Sequence, residues 1–215
     1  MVSQFTLDFK LSPDAVFANY VGDAADKIRQ ASTSQYLWGR KGSGRSHLLQ
    51  AMCQATPGSI YLSELNRLSP EVVRDLEAMP LVCLDDIDLI LADPDWQQAL
   101  FHLMNGVLDR GGRLLMAAEL PANQQDIKLA DLRSRLNAAP PVETDQLGDS
   151  QKIRVLVQRA KHWGFDLSED VGRFILSRSP RDMIKLVDLL KRLEMETLRQ
   201  QKRVTIPFVK HTLNL

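Results

Sequence analysis

Short apolar runs alternate with amphipathic segments along the first two thirds of the chain. The runs predict buried strands at QYLW (35–38), SIYLS (59–63), LVCLDD (81–86) and RLLMAA (113–118). The amphipathic or capped segments predict helices at 46–55, at 69–78 and from 93 to 110. Strands that alternate with helices indicate an α/β fold with a mostly parallel sheet.

The pattern changes near Leu147 and Gly148, after which apolar residues recur with helical spacing. The helices predicted beyond this point begin at Asp149, Ser168, Ser179-Pro180 and Pro207. We therefore expect an α/β domain at 13–146 and a small all-helical domain at 147–215. A separate N-terminal segment at 1–12 precedes them.

The composition is that of an ordinary globular protein, with 215 residues of which 44% are hydrophobic and 25% are charged. Basic and acidic residues number 27 each, which gives no support to a protein that binds DNA mainly through its phosphates. We therefore expect no intrinsic sequence-specific DNA binding. Apolar runs are short, the N-terminus has no secretory signal, and the two cysteines are isolated. These features predict a cytoplasmic protein without membrane association.

The stretch GRKGSGRS at 39–46 nearly matches the P-loop pattern G-x-x-x-x-G-K-[ST]. A predicted strand precedes it and a predicted helix follows, so backbone N–H groups at the helix start would surround phosphates. The hydroxyl of Ser46 would hold Mg²⁺. The alternative is a glycine-rich turn without a ligand. The nucleotide contacts predicted in this stretch are Gly39, Lys41, Gly42, Ser43, Gly44, Arg45, Ser46 and His47.

Arg45 stands where the P-loop pattern has a lysine. The lysine places a compact charge at the β- and γ-phosphates, whereas arginine is longer, planar and able to pair with oxyanions through two nitrogens. We therefore expect nucleotide binding to survive this replacement better than hydrolysis does. The sequence leaves open whether the protein is itself an enzyme, and weak or no independent ATPase activity is expected.

Two acids, Asp85 and Asp86, end an apolar strand, where a Walker B motif would place them. Asp85 would hold Mg²⁺ together with Ser46, and the neighbouring acid would polarise an attacking water. The alternative is an ordinary turn after a strand. Because a P-loop precedes them in the chain, we interpret Asp85 and Asp86 as catalytic candidates.

Six segments together carry a resemblance to a known family. They are VFANYVGD (16–23), GRKGSGRSHLLQA (39–51), CLDDID (83–88), DLRSRL (131–136), SPRDM (179–183) and TIPFVK (205–210). These segments resemble the AAA+ ATPases of the DnaA initiator family, and most closely its shorter Hda-type regulators. The resemblance covers nearly the whole chain and implies a P-loop AAA+ domain followed by a helical lid.

The resemblance also assigns roles to single residues. It implies that Tyr20, Val21 and Gly22 pack against the nucleotide base. It places the arginine finger, which acts on a neighbour's nucleotide, at Arg135, and it places sensor II of the lid at Arg181. The sensor I region AAEL (117–120) departs from the family pattern, because it lacks the usual polar residue.

The segment QFTLDF at 4–9 resembles the short peptide that docks on the bacterial sliding clamp, the beta subunit of DNA polymerase III. Gln4 would make polar contacts at the rim of a pocket, and Leu7 and Phe9 would fill apolar pockets. The alternative is an ordinary β-strand end with alternating apolar residues. DnaA initiators carry a helix-turn-helix domain after the lid, whereas this sequence stops there, so we expect a regulator.

The leading hypothesis is a nucleotide-bound regulator of replication initiation. It would hold ADP, or another nucleoside diphosphate or ATP, with Mg²⁺, dock on the clamp, and stimulate hydrolysis of ATP bound to DnaA. The alternative is a stand-alone AAA+ ATPase that acts as a helicase-loader-like or clamp-loader-like motor. A third hypothesis is an interaction module that nucleotide stabilises. The sequence leaves self-association into homo-oligomers open.

Overall fold

The computed structural model describes residues 11–144 and 146–214. The chain divides at residue 145 into two compact units, each with its own hydrophobic core. The first unit contains the β-sheet. In the described residues of the second unit, the only regular elements are helices.

The sheet of the first unit is parallel throughout its described strands. They are β1 (Gln35–Trp38), β2 (Ile60–Leu62), β3 (Leu81–Leu84), β4 (Arg113–Ala118) and β5 (Pro141–Glu143). Their order across the sheet is β2-β3-β4-β1-β5. In this register Leu37 of β1 lies opposite Ala117 of β4 and Val142 of β5. The carboxyl ends of all five strands therefore point to one edge of the sheet.

Helices cover both faces of this sheet. They are α1 (Ala24–Gln30), α2 (Arg45–Ala55), α3 (Pro94–Asp109) and α4 (Ala130–Ala138). Neighbouring residues of a strand point to opposite faces. Tyr36 accordingly lies in a core with α3 and α4, while Leu37 lies in a second core with α1 and α2. The result is a three-layer α/β unit, as the alternating sequence pattern predicts.

The second unit consists of α5 (Asp149–His162), α6 (Glu169–Arg178), α7 (Met183–Gln200) and α8 (Ile206–Leu213). Each helix contributes an apolar face to one shared core. Fully buried members of that core include Leu156, Ile175, Leu186, Leu190 and Val209. The predicted fold class, an α/β domain with a small helical domain, is thereby confirmed.

The helix predicted at 69–78 is wrong. Two short 3-10 helices occupy this stretch, at Pro70–Val73 and Leu76–Ala78, and both pack against α3. Asp75 between them has a positive φ of 66°, which breaks the helical path. This break lets Val73 and Leu76 both reach the core.

The start predicted for a helix at Ser179-Pro180 is also shifted. The helix begins at Met183, because the carboxylate of Asp182 accepts a hydrogen bond from the backbone N–H of Lys185 at 3.1 Å and caps it there. Sequence patterns did not predict α1 or β5. Across residues 11–144 and 146–214, no helix is both long and apolar enough to cross a membrane.

Candidate functional site

The topology brings two distant segments to the same edge of the sheet. The P-loop (39–46) follows β1, and Asp85 and Asp86 follow β3. A single strand, β4, lies between β1 and β3 in the sheet. Side chains that extend from the P-loop and from the end of β3 can therefore meet above the end of β4.

Strand β4, which lies between β3 and β1, ends in two small residues. The last two residues of β4, Ala117 and Ala118, are fully buried, and Glu119 beyond them is exposed. The family pattern expects a polar residue in the sensor I region. In the described sheet, the last two positions of β4 are both alanines, so the strand end carries no polar side chain there.

The P-loop wraps tightly, and two of its glycines have no room for a side chain. Gly44 precedes α2 with a φ of 97°, and a Cβ there would lie 2.7 Å from Cε2 of Tyr20. A Cβ at Gly39 would lie 2.2 Å from Oγ1 of Thr144. The backbone at the start of α2 is therefore held in a closed turn, with N–H groups that have no partner inside the helix.

A buried hydroxyl pair fixes the middle of the P-loop to the end of β5. Oγ of Ser43 and Oγ1 of Thr144 are 2.6 Å apart, and Oγ1 of Thr144 donates to the carbonyl of Trp38 at 3.1 Å. The backbone N–H of Thr144 also donates to that carbonyl at 2.8 Å. The side chain of Ser43 is thus committed to holding the loop.

Asp85 is almost fully buried and is oriented by two donors. Its Oδ2 accepts from the hydroxyl of Tyr61 at 2.7 Å, and its Oδ1 accepts from the backbone N–H of Asp86 at 3.0 Å. Each carboxylate oxygen has a second lone pair. Asp85 is therefore rigidly placed and still able to accept a further bond or a cation.

Arg45 reaches across the site to the second acid. Its Nη2 donates to Oδ1 of Asp86 at 2.9 Å, and the exposed fractions of the two side chains are 8% and 44%. The other terminal nitrogen, Nη1, is buried and has no hydrogen-bond partner among the described residues. The guanidinium therefore stands in the space between the P-loop and the end of β3, with one donor group unused.

The electrostatics at Asp86 are those of a crowded acidic cluster. Burial raises the pKa of Asp86 above its ordinary value, and the carboxylate of Asp85 raises it further. Arg45 acts in the opposite direction and lowers the pKa of Asp86. Arg45 thus favours the ionised form of Asp86, which burial and Asp85 oppose.

The segment predicted to meet the base lies beside the start of α2. The ring of Tyr20 packs over Gly44 and Gly22, and its centroid is 5.9 Å from that of the His47 ring. A ring nitrogen of His47 is 2.8 Å from the carbonyl oxygen of Val16. The structure thus brings Tyr20 and its neighbours, including the half-buried Val21, to the P-loop.

The other predicted site residues have different surroundings. Lys41 is exposed, while Gly42 and Ser46 are half-buried within the P-loop. Arg135 lies on the exposed side of α4, and its guanidinium has no hydrogen bond or ion pair within the described residues.

Arg181 belongs to the second unit. There it is exposed and pairs with Asp149 at 3.4 Å. The residues of the predicted clamp peptide, Gln4, Leu7 and Phe9, lie outside the described residues.

Two members of this site were not found from the sequence. Tyr61 lies in β2 and Thr144 follows β5, and neither belongs to a motif. Their roles depend on strand order, which places β2 beside β3 and β5 beside β1. A polar residue inside or just after an apolar strand was the only local signal.

The bond from Tyr61 to Asp85 leads to a prediction about stability. Tyr61→Phe should lower the free energy of unfolding by about 1.5–3 kcal/mol, because a buried carboxylate loses a donor. Tyr36→Phe is the matched control. The Tyr36 hydroxyl donates to a neutral carbonyl, that of Leu120, so its loss should cost about 0.5–1.5 kcal/mol. Urea denaturation measures both values, and equal losses would contradict the assigned role of Tyr61.

Comparisons with known proteins agree with this fold. Residues 149–213 match the family model of the Hda lid domain. The chain is similar in structure to domain III of the replication initiation protein DnaA from Thermotoga maritima. That match has 18% identity and a TM-score of 0.78, and it covers 95% of this chain and 98% of that one.

Two further solved structures have a similar fold. AMPPCP-bound DnaA from Aquifex aeolicus has 20% identity and a TM-score of 0.67, over 90% of this chain and 70% of that one. The RuvB Holliday junction branch migration motor of Thermotoga maritima has 16% identity and a TM-score of 0.66, over 88% and 64%.

The lid match covers nearly all of the second unit, and the similarity to DnaA domain III extends over both units. The resemblance inferred from the sequence motifs is thereby confirmed. The chain has the AAA+ fold of DnaA domain III, and its residues 149–213 match the Hda lid domain.

Proposed function

We propose that this protein is a nucleotide-bound regulator of replication initiation that, with the DNA-loaded sliding clamp, stimulates hydrolysis of ATP bound to DnaA. Two features together carry the proposal. In the first unit, the P-loop lies near two acids, Asp85 and Asp86, that follow a buried strand, and in the second unit residues 149–213 match the Hda lid domain. Such a regulator would limit initiation by converting its partner's ATP to ADP.

Nucleotide binding is supported by the backbone of the P-loop. Free N–H groups at the start of α2 attract phosphate, and the nearby Arg45 adds a positive charge. A DnaA protein of similar fold binds AMPPCP. Ser46 and Asp85 are the residues that would hold Mg²⁺ on the nucleotide, since a hydroxyl and a carboxylate are the oxygen ligands that this ion prefers. When bound, the ion would neutralise phosphate charge.

We infer that the bound nucleotide is ADP and that the protein hydrolyses ATP poorly by itself. The acid that would polarise water, Asp86, is already paired with Arg45. Tyr20, Val21 and Gly22 would pack against the base, and Arg181 of the lid would contact phosphate. Calorimetry with ADP and ATP tests this part, and binding of neither nucleotide at millimolar concentration would refute it.

The residue proposed to act on DnaA is Arg135. It is exposed on α4, and within the described residues its guanidinium makes no bond that would hold it on its own chain. An arginine in such a position is free to enter a neighbouring molecule's site. There it would stabilise the charge that develops on the transferred phosphoryl group.

Docking on the sliding clamp is assigned to residues 4–9. Changing Gln4, Leu7 and Phe9 together to alanine should abolish binding to the clamp, because the polar contact and both apolar anchors are lost. Co-elution of the mutant with the clamp in size-exclusion chromatography measures this. The mutant's thermal unfolding is the control for an intact fold. A triple mutant that binds the clamp as tightly as the wild type would show that the peptide is assigned to the wrong segment.

The competing function is that of a motor that consumes ATP alone. A multiple-turnover ATPase assay on the isolated protein separates the two. The regulator should show turnover that is barely above background, and its partner's ATP should be hydrolysed only when all components are present. Steady turnover by the isolated protein would favour the motor, whose fold is shared with the RuvB branch migration protein.

A further inference from the structure

The Arg45–Asp86 pair is unusual because it is only half complete. Arginine presents a planar fork of donors that can serve two acceptors at once. Here Nη2 serves Asp86, while Nη1 is buried with no partner among the described residues. A buried charged donor without an acceptor is costly, so the geometry favours a second acceptor that residues 11–144 and 146–214 do not supply.

The position of the free donor indicates what that acceptor is. Arg45 is the first residue of α2, directly after Gly44 of the P-loop. Its residue exposure is only 7%, so the guanidinium cannot exchange freely between solvent and the site. An anion bound by the backbone N–H groups of the P-loop would lie next to this side chain. A phosphate oxygen is the acceptor whose geometry matches a guanidinium fork.

We propose that Asp86 is a positioning residue, which holds Nη2 of Arg45 so that Nη1 faces the terminal phosphate of a bound nucleoside diphosphate. The inference rests on the proposed nucleotide binding. It changes the role expected for Asp86, from an acid that polarises water to a support for a phosphate-binding arginine. Arg45 is then a specific phosphate ligand, and its contribution to nucleotide affinity depends on Asp86. It is therefore more than a tolerated replacement for lysine.

A double-mutant cycle tests this dependence. Arg45→Lys keeps the positive charge and removes the fork, so it isolates geometry from charge. Asp86→Gly removes the holding carboxylate and suits the positive φ of 47° at that position. Isothermal calorimetry with ADP gives the dissociation constant for the wild type, both single variants and the double variant. Thermal unfolding of all four proteins shows whether each is folded.

The effect of Arg45→Lys differs between a binding role of Arg45 that depends on Asp86 and one that does not. If Asp86 positions Arg45, the substitution should weaken ADP binding about tenfold in the protein that retains Asp86. In the Asp86→Gly protein, the same substitution should change the affinity less than about twofold. A loss that is equal in both backgrounds, or no loss in either, would overturn the proposal. If Arg45→Lys does not fold, Arg45→Met gives a second cycle, with the same expected dependence on Asp86.

This design also separates the inference from the function on which it rests. If the wild type binds no ADP, the proposed nucleotide binding and the inference fail together. If the wild type binds ADP and the cycle shows no coupling, only the role of Asp86 fails. A coupling of the expected size supports both.

Discussion

Arg135→Ala should abolish the proposed stimulation of ATP hydrolysis on DnaA. The variant should stay folded and should still bind ADP and the sliding clamp. Arginine fingers are worth about 10³–10⁵ in rate in other phosphoryl-transfer systems, so the loss should be nearly total. The physical reason is that a guanidinium stabilises charge only in the transition state of the partner's reaction. The measurement follows hydrolysis of labelled ATP preloaded on DnaA, in the presence of clamp-loaded DNA and the variant.

Arg133→Ala is the matched control for this prediction. Arg133 is on the same helix, is also exposed, and its Nη1 donates to the carbonyl of Ile127 at 3.4 Å. Two residues apart on a helix are about 200° apart around its axis, so Arg133 cannot substitute for Arg135. Arg133→Ala should therefore stimulate like the wild type. If Arg133→Ala is inactive and Arg135→Ala is active, the finger is Arg133. If both remain active, an arginine supplied in trans is not the mechanism.

Gly44→Val should eliminate nucleotide binding, leaving an ADP dissociation constant weaker than about 1 mM. The backbone at Gly44 has a φ of 97°, which a β-branched residue adopts only with strain. A Cβ would also come within 2.7 Å of the Tyr20 ring, and the two methyl groups of valine would fill the turn that must surround phosphate. Calorimetry with ADP measures the loss.

A second valine substitution separates strain from site damage. Gly111 also has a positive φ, 71°, but a Cβ there meets no atom within 4 Å. Gly111→Val should therefore carry a similar backbone strain, on the order of 1–3 kcal/mol, and retain ADP binding. If Gly111→Val loses ADP binding as completely as Gly44→Val does, general destabilisation explains both. If Gly44→Val binds ADP normally, the P-loop is not the phosphate site.

The parts of this structure that the sequence predicts are those whose signals are local. Strand β1, the glycine-rich turn and α2 follow one another without interruption, so composition and caps identify them. The apolar strand that Asp85 follows is equally evident from its composition. Both 3-10 turns at 70–78 were missed because Ser69-Pro70 also begins α-helices, and the positive φ that interrupts the path falls on an aspartate.

The contacts that complete the candidate site depend on long-range register, which a single sequence does not encode in a readable form. Ser43 meets Thr144 only because β5 lies beside β1, and Tyr61 meets Asp85 only because β2 lies beside β3. The pairing of Arg45 with Asp86 likewise depends on the strand order, which places β1 and β3 on either side of β4. The sequence shows that Arg45 departs from the lysine pattern, but only the fold shows that its partner is Asp86.

The central claim of the proposed function is that this protein keeps its own nucleotide bound and stimulates hydrolysis of the ATP bound to its partner. The most direct measurement follows labelled ATP preloaded on DnaA, with clamp-loaded DNA and with this protein charged with unlabelled ADP. The account predicts rapid conversion of the label to ADP on DnaA, and almost no conversion when this protein is left out or is incubated alone with labelled ATP. Unchanged decay of DnaA-bound ATP in the complete mixture, or steady hydrolysis by this protein alone, would contradict it.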